Sequence, residues 1–288
     1  MNNSTGSNCS QRELLAAWKR AGGRLKKRLG QHVLTDPHTA RRIVDAAGAL
    51  AGRTVVEVGP GLGALTEHLA GRAQRLIGVE LDAALHQRLA ARFAGRNDVT
   101  LLRQDILAFD FAGLRDVVVV GAIPYQITSP LLRHLTAHHA RISDAWLVIQ
   151  REVAQRLAAG PGTKAYGRLS CAVQYWAAPR LCFIVKPGAF TPPPQVDSAL
   201  VHLAMRRTPA VRVQNEARFF EVIAAAFGHR RKTLLNCLLM APALRDRREA
   251  ILQALAAAEL QPTQRGETVS LAQFARLTDA LFGRSASD

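Results

Sequence analysis

The sequence lacks any apolar stretch long enough to span a bilayer. Its apolar runs, such as 117–120, are soon interrupted by glycine or proline, whereas a membrane helix needs about 20 apolar residues. Residues 1–10 are polar and show no apolar core of a secretory signal. We therefore expect a cytoplasmic protein with no membrane partner.

Cysteine is scarce, and its placement excludes the usual cysteine-based frameworks. No C-x-x-C pair and no spacing typical of zinc or disulfide frameworks is present among Cys9, Cys171, Cys182 and Cys237. His134, His138 and His139 have helical spacing, but no acidic or cysteine partner lies near them in sequence. We expect reduced thiols and no metal site.

Acidic residues are too few to balance the basic ones. There are 22 Asp and Glu against 38 Lys and Arg, which gives a formal net charge of +16. Such an excess favours a polyanionic partner, with nucleic acid ahead of an anionic membrane surface. The candidate phosphate contacts are Lys26, Lys27 and Arg28 in a basic run, and Arg230, Arg231 and Lys232 at a predicted helix start.

Short β-branched runs alternate with amphipathic segments in the first two thirds of the chain. Strands are predicted at 54–58, 76–80, 99–103, 117–120 and 145–150, with crossover helices at 64–71 and 82–93. Strand followed by helix, repeated, predicts an α/β fold in which a parallel sheet carries helices on both faces.

The pattern changes at 206–209, after two more predicted strands at 181–185 and 198–203. Beyond this point all segments have helical periodicity: 216–227, 230–239, 247–257 and 271–282. We therefore predict an N-terminal extension at 1–22, an α/β domain at 23–207 and a small helical domain at 208–288.

The first strand runs into a glycine-rich loop directly before a helix. Gly59, Gly61 and Gly63 allow a tight turn and a close approach of a ligand to the backbone. The loop also satisfies the dinucleotide fingerprint, so a dinucleotide-dependent oxidoreductase and a purely structural turn stay open. Glu80 ends the second strand, where a carboxylate can accept ribose hydroxyls, and Asp105 follows the third.

The fourth strand runs into Gly-Ala-Ile-Pro-Tyr-Gln at 121–126. This segment has no role in hydride transfer, and it looks like an altered Asn-x-Pro-Tyr motif of methyltransferases that modify exocyclic amines. Ala122 stands where the asparagine is expected.

From about Arg28 to the last helix, the chain resembles the bacterial and organellar small-subunit ribosomal RNA adenine dimethyltransferases, which are related to the erythromycin-resistance methyltransferases of large-subunit RNA. Besides the glycine loop, four segments carry the resemblance: Gly-Gln-His-Val-Leu at 30–34, Lys-Ala-Tyr-Gly-Arg-Leu-Ser at 164–170, Phe-Thr-Pro-Pro-Pro-Gln-Val-Asp-Ser at 190–198 and Phe-Gly-His-Arg-Arg-Lys-Thr at 227–233. The second and fourth favour the small-subunit branch.

The resemblance implies a Rossmann-like class I methyltransferase sheet with a small C-terminal all-α domain and S-adenosyl-L-methionine as cofactor. It implies N6-dimethylation of two adjacent adenosines near the 3′ end of small-subunit rRNA, with the rRNA itself or a pre-30S-like particle as the partner. A monomer is the default expectation.

The resemblance also assigns site residues. The residues implied to bind the cofactor are Gln31, His32, Leu34, Gly59, Gly61, Gly63, Glu80, Leu81, Asp105, Ile106 and Ala122. The implied catalytic residues are Ala122, Ile123, Pro124, Tyr125 and Phe190, in which the two aromatic rings stack on the extruded base. Position 32 departs from the family, where asparagine is common.

The alanine at position 122 removes one hydrogen-bond acceptor for the N6 amine, and Gln126 is the only substitute that the sequence suggests. Loss of a preorganised contact of this kind lowers turnover about 10²- to 10³-fold. We therefore expect an impaired enzyme. Two alternatives are a weakly active or inactive RNA-binding factor of ribosome assembly, and a large-subunit rRNA methyltransferase that confers antibiotic resistance.

Overall fold

A computed structural model describes residues 10–26 and 30–283, and every structural statement here concerns those residues. The strands are β1 (Val33–Leu34), β2 (Thr54–Val58), β3 (Arg75–Glu80), β4 (Val99–Arg103), β5 (Val117–Ala122), β6 (Ile142–Gln150), β7 (Ala177–Val185), β8 (Phe190–Thr191) and β9 (Ser198–Met205). The helices are α1 (Gln11–Arg20), α2 (Pro37–Ala46), α3 (Thr66–Leu69), α4 (Ala83–Arg92), α5 (Thr128–Ala137), α6 (Arg151–Ala158), α7 (Arg168–Trp176), α8 (Glu216–Ala226), α9 (Leu234–Leu239), α10 (Arg248–Ala257) and α11 (Leu271–Phe282). None of these helices has the length and apolar character needed to cross a membrane.

Seven strands form the central sheet, in the order β4-β3-β2-β5-β6-β9-β7. The pairs among β4, β3, β2, β5 and β6 are parallel, as the alternation of strands and helices predicts. The sheet is nevertheless mixed, because β9 pairs antiparallel with β6. The prediction of a parallel sheet is therefore confirmed for the five strands on which it was based.

The predicted strands lie where the sequence placed them, but several elements differ in length. β2 and β4 keep their predicted bounds, whereas β5 and β6 are longer and the predicted helix 64–71 is reduced to α3. The sequence analysis did not name α2. Its start has clear local signals, because the Asp36 side chain accepts a hydrogen bond from the Thr39 amide at 2.9 Å and Pro37 occupies the first turn.

The described chain divides into two compact units. The first comprises residues up to Ala154 together with Arg180–Met205, and the second comprises Gln155–Pro179 together with the chain from Arg206 onward. The predicted boundary at 207/208 lies close to the third junction, between Met205 and Arg206. The prediction assigned residues 155–179 to the α/β domain. The structure places them in the helical unit.

Apolar packing explains why residues 155–179 belong to the helical unit. Tyr175 on α7 is buried, and its ring centroid lies 5.2 Å from that of Phe219 on α8. Cys171 on the same helix is buried in the same core cluster, which also contains Ile251 and Phe274. Burial of such side chains is the main favourable term that holds these helices together.

Within the first unit, α1 packs on the α/β core. Its Leu15 and Trp18 are buried in one cluster with Val33, Leu62 and Leu85. The part of the predicted 1–22 extension that the structure describes is therefore a packed amphipathic helix, with Ser10 and Glu13 forming a capping box at its start.

The loop between β2 and α3 positions the end of the central strand. Gly59, Gly61 and Gly63 all have positive φ angles, 62°, 61° and 89° respectively. A Cβ atom on Gly59 would meet nothing within 4 Å, whereas one on Gly63 would lie 2.7 Å from Cδ1 of Leu89 on α4. The first glycine thus faces open space, and the third allows helix and loop to pack closely.

The close approach of Gly63 to Leu89 predicts a stability difference between two glycine substitutions. Gly113 has a comparable φ of 77°, but a Cβ there would meet no atom within 4 Å, so Gly113→Ala isolates the backbone cost of about 1 to 2 kcal/mol. We expect Gly63→Ala to lower the free energy of unfolding by a further ~1 to 3 kcal/mol because it also overpacks Leu89. Urea unfolding of both variants measures the difference, and equal losses would contradict the packing role.

Candidate active site

A cavity of about 290 Å³ lies in the first unit, where β2, β3 and β5 end. The carboxyl ends of parallel strands meet at one edge of a sheet, which is where open α/β sheets bind ligands. The walls of the cavity come from the glycine loop, the ends of β3 and β5, the residues after β4, and residues 30–34. Phe190 and Ser198 complete the lining.

The structure brings together ten of the eleven residues predicted to bind the cofactor. The cavity-lining members are Gln31, His32, Leu34, Gly59, Gly61, Glu80, Leu81, Asp105, Ile106 and Ala122. Gly63 is the exception, because its Cβ position faces Leu89 and not the cavity. The sequence could not separate the glycine needed for packing from those that border the ligand space.

Glu80 has the geometry of a ligand-binding carboxylate. It is 6% exposed; Oε2 accepts a hydrogen bond from the Gly61 amide at 3.0 Å, and Oε1 accepts one from the Asp82 amide at 2.8 Å. The two carboxylate oxygens have four lone pairs between them, so the group can accept a further donor. Burial raises the pKa of Glu80, while these amide bonds oppose the rise. The arrangement fits a cofactor that carries ribose hydroxyls.

Two apolar side chains border the adjoining part of the cavity. Ile106 is buried, whereas Leu81 is 51% exposed although it is a large apolar residue. Asp105 also lines the cavity, and its Oδ1 accepts a hydrogen bond from the Leu107 amide at 2.9 Å. Apolar faces beside a carboxylate suit a flat aromatic ring with an exocyclic amine.

Glu57 is a second carboxyl group at the cavity, to which the sequence analysis assigned no role. It is 1% exposed, and the Thr66 hydroxyl donates a hydrogen bond to its Oε2 at 2.8 Å. Burial, and then the neighbouring Glu80 charge, raise the pKa of Glu57 to about 8. The carboxyl group is therefore mostly neutral at pH 7.

The altered motif lies at the end of β5. Ala122 is opposite Val148 in the pairing of β5 with β6, and Ile123 and Pro124 continue the cavity wall. The next residue, Tyr125, follows them, and its hydroxyl lies 2.8 Å from the Ser198 hydroxyl. Ser198 is buried at the start of β9 and was quoted in the sequence analysis without a role.

A short ladder brings the N-terminal motif to the same cavity. β1 pairs antiparallel with β8, so that Leu34 lies opposite Phe190, and both side chains are buried. The neighbouring His32 places Nδ1 2.7 Å from the Pro192 carbonyl oxygen. All five residues predicted to be catalytic therefore line one cavity together with His32.

The predicted RNA contacts at the N-terminus are only partly described. Lys27 and Arg28 lie outside the described residues. Nζ of Lys26 lies 2.8 Å from Oδ2 of the buried Asp82, and the Lys26 amide donates a hydrogen bond to Gln31 Oε1 at 2.7 Å. The Lys26 ammonium group is thus paired with a buried carboxylate, which weakens its assignment as a phosphate contact.

The second predicted basic group lies in the helical unit. Arg230, Arg231 and Lys232 are exposed, but they form a turn and do not begin a helix as expected. α9 begins later, because the Thr233 side chain accepts a hydrogen bond from the Asn236 amide at 3.4 Å. One guanidinium nitrogen of Arg230 donates to the Lys164 carbonyl oxygen at 3.0 Å.

Side chains of the types that bind metal ions do not cluster in the described part of the chain. No group of three or more His, Cys, Asp or Glu side chains there has the arrangement of a metal site. His134 and His138 instead contact backbone oxygens, at Phe109 and at His134 itself.

The buried carboxyl group of Glu57 predicts a pH-dependent stability. Its pKa is about 8 when folded and has an ordinary value of 4.5, so the stability gained from the neutral form is lost as pH rises toward 8. Relative to Glu57→Gln, we expect the free energy of unfolding to fall by on the order of 3 kcal/mol between pH 5 and pH 8. Urea unfolding of both proteins across this range tests it, and a difference that does not change with pH would contradict it.

Comparison with known proteins gives the same answer as the geometry. The family described as ribosomal RNA adenine dimethylase matches residues 22–278. A ribosomal RNA small subunit methyltransferase A from Enterococcus faecalis is 44% identical over 272 residues, which cover 91% of this chain and 92% of the relative. One from Pelotomaculum thermopropionicum is 44% identical over 275 residues, covering 91% and 93%.

Solved structures agree on the fold. The 23S rRNA methyltransferase ErmE has a TM-score of 0.68 at 27% identity, covering 86% of this chain and 98% of its own. A dimethyladenosine transferase from Plasmodium falciparum has a TM-score of 0.72 at 24% identity, covering 85% and 96%. The oxidoreductase alternative is thereby excluded, and the predicted fold class and cofactor are confirmed. The chain belongs to the ribosomal RNA adenine dimethylase family of S-adenosylmethionine-dependent methyltransferases.

Proposed function

We propose that this chain dimethylates N6 of two adjacent adenosines near the 3′ end of small-subunit rRNA, at a rate lowered by Ala122. The observation that carries the proposal is the single cavity that joins Glu80, the glycine loop and the Pro124-Tyr125 segment. The names of relatives 44% identical over nine tenths of the chain support the small-subunit substrate.

The cofactor half of the cavity fits S-adenosylmethionine through residues of β2, β3 and the turn after β4. Glu80 would accept hydrogen bonds from the ribose hydroxyls with the lone pairs that its amide contacts leave free. Leu81 and Ile106 would hold the adenine ring between apolar faces. Gly59, with no atom within 4 Å of its Cβ position, would leave room for the methionine part.

The target half of the cavity must activate a weak nucleophile. The N6 lone pair of adenine is delocalised into the ring, and hydrogen-bond acceptors draw it out of the ring plane. When bound, the cofactor supplies an electrophilic methyl group: nitrogen forms a bond to its carbon, the carbon–sulfur bond breaks with its electrons going to sulfur, and the nitrogen proton leaves to water. The protein contributes position and electrostatics.

Three groups of this chain would hold the target base. The Tyr125 ring would stack on it, fixed by the 2.8 Å hydrogen bond to Ser198, and burial raises the pKa of Tyr125 and so keeps the hydroxyl protonated. Phe190 would provide a second apolar face. The backbone carbonyl next to Pro124 would accept one N6 hydrogen, whereas the Ala122 side chain offers no second acceptor.

The Ala122 assignment predicts a gain of function. We expect Ala122→Asn to raise methyl transfer about 10²- to 10³-fold, the scale of one preorganised polar contact in a transition state. The measurement is transfer of radiolabelled methyl from S-adenosylmethionine to unmethylated small-subunit particles. Ala122→Leu, with a side chain of similar size and no acceptor, is the control. Comparable methyl-transfer rates for the original chain and Ala122→Asn would contradict the claim that Ala122 limits turnover.

A second candidate function is an RNA-binding factor of ribosome assembly with a vestigial methylation site. The same alanine at position 122 favours it, because a binding role does not need the N6 acceptor. Binding of the small-subunit particle with no detectable methyl transfer, restored by Ala122→Asn, would support this candidate.

The exposed basic turn of the helical unit predicts an electrostatic RNA contact. We expect changing Arg230, Arg231 and Lys232 to Gln to reduce the slope of log affinity against log salt by up to about 3, since each phosphate contact contributes ~0.7 to 0.9. The control changes Arg75, Arg115 and Arg141, which lie at or within two residues of the starts of β3, β5 and β6, at the sheet edge opposite the cavity. An unchanged slope in the first variant, or an equal drop in the control, would contradict the contact.

A further inference from the structure

Lys26 lies before the first segment that carries the family resemblance, yet its contacts lead to the cofactor half of the cavity. Its Nζ lies 2.8 Å from Oδ2 of Asp82, and its backbone amide donates a hydrogen bond to Oε1 of Gln31 at 2.7 Å. Gln31 in turn donates from Nε2 to the same Asp82 oxygen at 3.4 Å. The three residues therefore form a closed ring of contacts.

This ring joins the cavity wall at two points. Gln31 lines the cavity and is one of the residues predicted to bind the cofactor. The backbone amide of Asp82 donates a hydrogen bond at 2.8 Å to Oε1 of Glu80, which also lines the cavity. Lys26 thus contacts one wall residue directly and is linked to the second through Asp82.

The Asp82 carboxylate depends on the Lys26 cation. Asp82 is 1% exposed, and its Oδ1 caps α4 by accepting hydrogen bonds from the amides of Ala84 and Leu85 at 2.9 and 3.3 Å. Burial alone would raise the pKa of Asp82, but the Lys26 ammonium group and these amides hold it below its ordinary value. Without Lys26, a buried negative charge would be left uncompensated, which is strongly destabilising.

Helix α1 fixes the segment that leads to Lys26. Leu15 and Trp18 of α1 are buried against side chains of β1, the glycine loop and α4. Gly23 lies on the Trp18 indole, where a Cβ atom would overlap the ring, and Leu25 packs on the same cluster. The match to the family begins at residue 22, so α1 lies before it. The position of Lys26 is therefore set by packing outside the matched region.

We propose that Lys26 is a positioning residue of the cofactor site, which holds Gln31 and Asp82 in the arrangement that receives S-adenosylmethionine. The ammonium group compensates the buried Asp82 charge, and the backbone amide fixes the Gln31 side chain. Lys26 thus serves cofactor binding and not the phosphate contact that its basic run predicts. This inference rests on the cofactor half of the proposed function and does not require turnover.

Three variants and one control test the role of Lys26. Lys26→Met keeps an unbranched side chain and removes the charge, whereas Lys26→Arg keeps the charge. Asp82→Asn removes the buried charge and keeps an oxygen that can cap α4. The control is Arg96→Met, because Nη2 of Arg96 lies 2.7 Å from Oδ2 of Asp98, just before β4 at the sheet edge opposite the cavity.

Calorimetric titration with S-adenosylhomocysteine measures the effect without any need for turnover. We expect Lys26→Met to raise Kd about 10-fold or more, the scale of one hydrogen bond to a charged group. Lys26→Arg should keep Kd within about 3-fold because it retains the charge, and Arg96→Met should do so because its ion pair is exposed. The rise for Lys26→Met should be the same at low and high salt, since salt screens buried pairs only weakly.

A double-mutant cycle tests whether Lys26 acts through Asp82. In the Asp82→Asn background, Lys26→Met should change Kd less than about 3-fold, because no buried charge is left to compensate. This comparison also holds if Lys26→Met alone does not fold, since the double variant lacks the uncompensated charge. Equal effects of Lys26→Met in both backgrounds would overturn the inference.

Two further results would overturn the inference. One is a rise in Kd for Lys26→Arg as large as that for Lys26→Met, because charge would then not be the cause. The other is an unchanged Kd for Lys26→Met, together with a salt-dependent loss of affinity for small-subunit particles or without it. With that loss, Lys26 is a phosphate contact.

The proposed function fails separately from this inference. If S-adenosylhomocysteine binds but neither the original chain nor Ala122→Asn transfers methyl groups, the proposed function is overturned and the Kd values still decide the role of Lys26. If the original chain binds no S-adenosylhomocysteine, both are overturned.

Discussion

The site depends on the register of β2 between its two parallel neighbours. Val58 lies opposite Val79 on one side and Gly121 on the other, so the loops that follow β2, β3 and β5 begin at one level. This register needs a residue without a side chain at position 121, because a Cβ there would lie 2.8 Å from the Val58 carbonyl oxygen. Glu80 and Ala122 meet the glycine loop only because these strands end together.

The strand ends were the part of the site that the sequence could predict. Buried valine runs locate β2 and β5, and the residue that follows each run must face the cavity in a parallel sheet. Contacts distant in sequence were not predictable in the same way. The ladder of β1 and β8 has two residues in each strand, and the hydrogen bond of Tyr125 to Ser198 joins separate motifs. Neither leaves a periodic pattern.

Charge was the least predictable property, since it depends on burial and partners. Lys26 belongs to a basic run, yet it pairs with the buried Asp82. Glu57 and Glu80 both follow from the strand pattern, but only the structure shows that Thr66 is the partner of the first and backbone amides are partners of the second. One carboxyl group is thus kept mostly neutral, while the other accepts hydrogen bonds from two backbone amides.

A sequence motif shows which side chains are present, whereas the methyl-transfer reaction needs hydrogen-bond acceptor atoms at particular positions. Taken alone, Ala122 removes an acceptor and predicts an impaired enzyme. The ladder of β1 and β8 brings His32 to the wall of the same cavity, where its Nδ1 lies 2.7 Å from the Pro192 carbonyl oxygen. The effect of an alanine in this motif therefore depends on the acceptor atoms that the rest of the cavity wall presents, and not on position 122 alone.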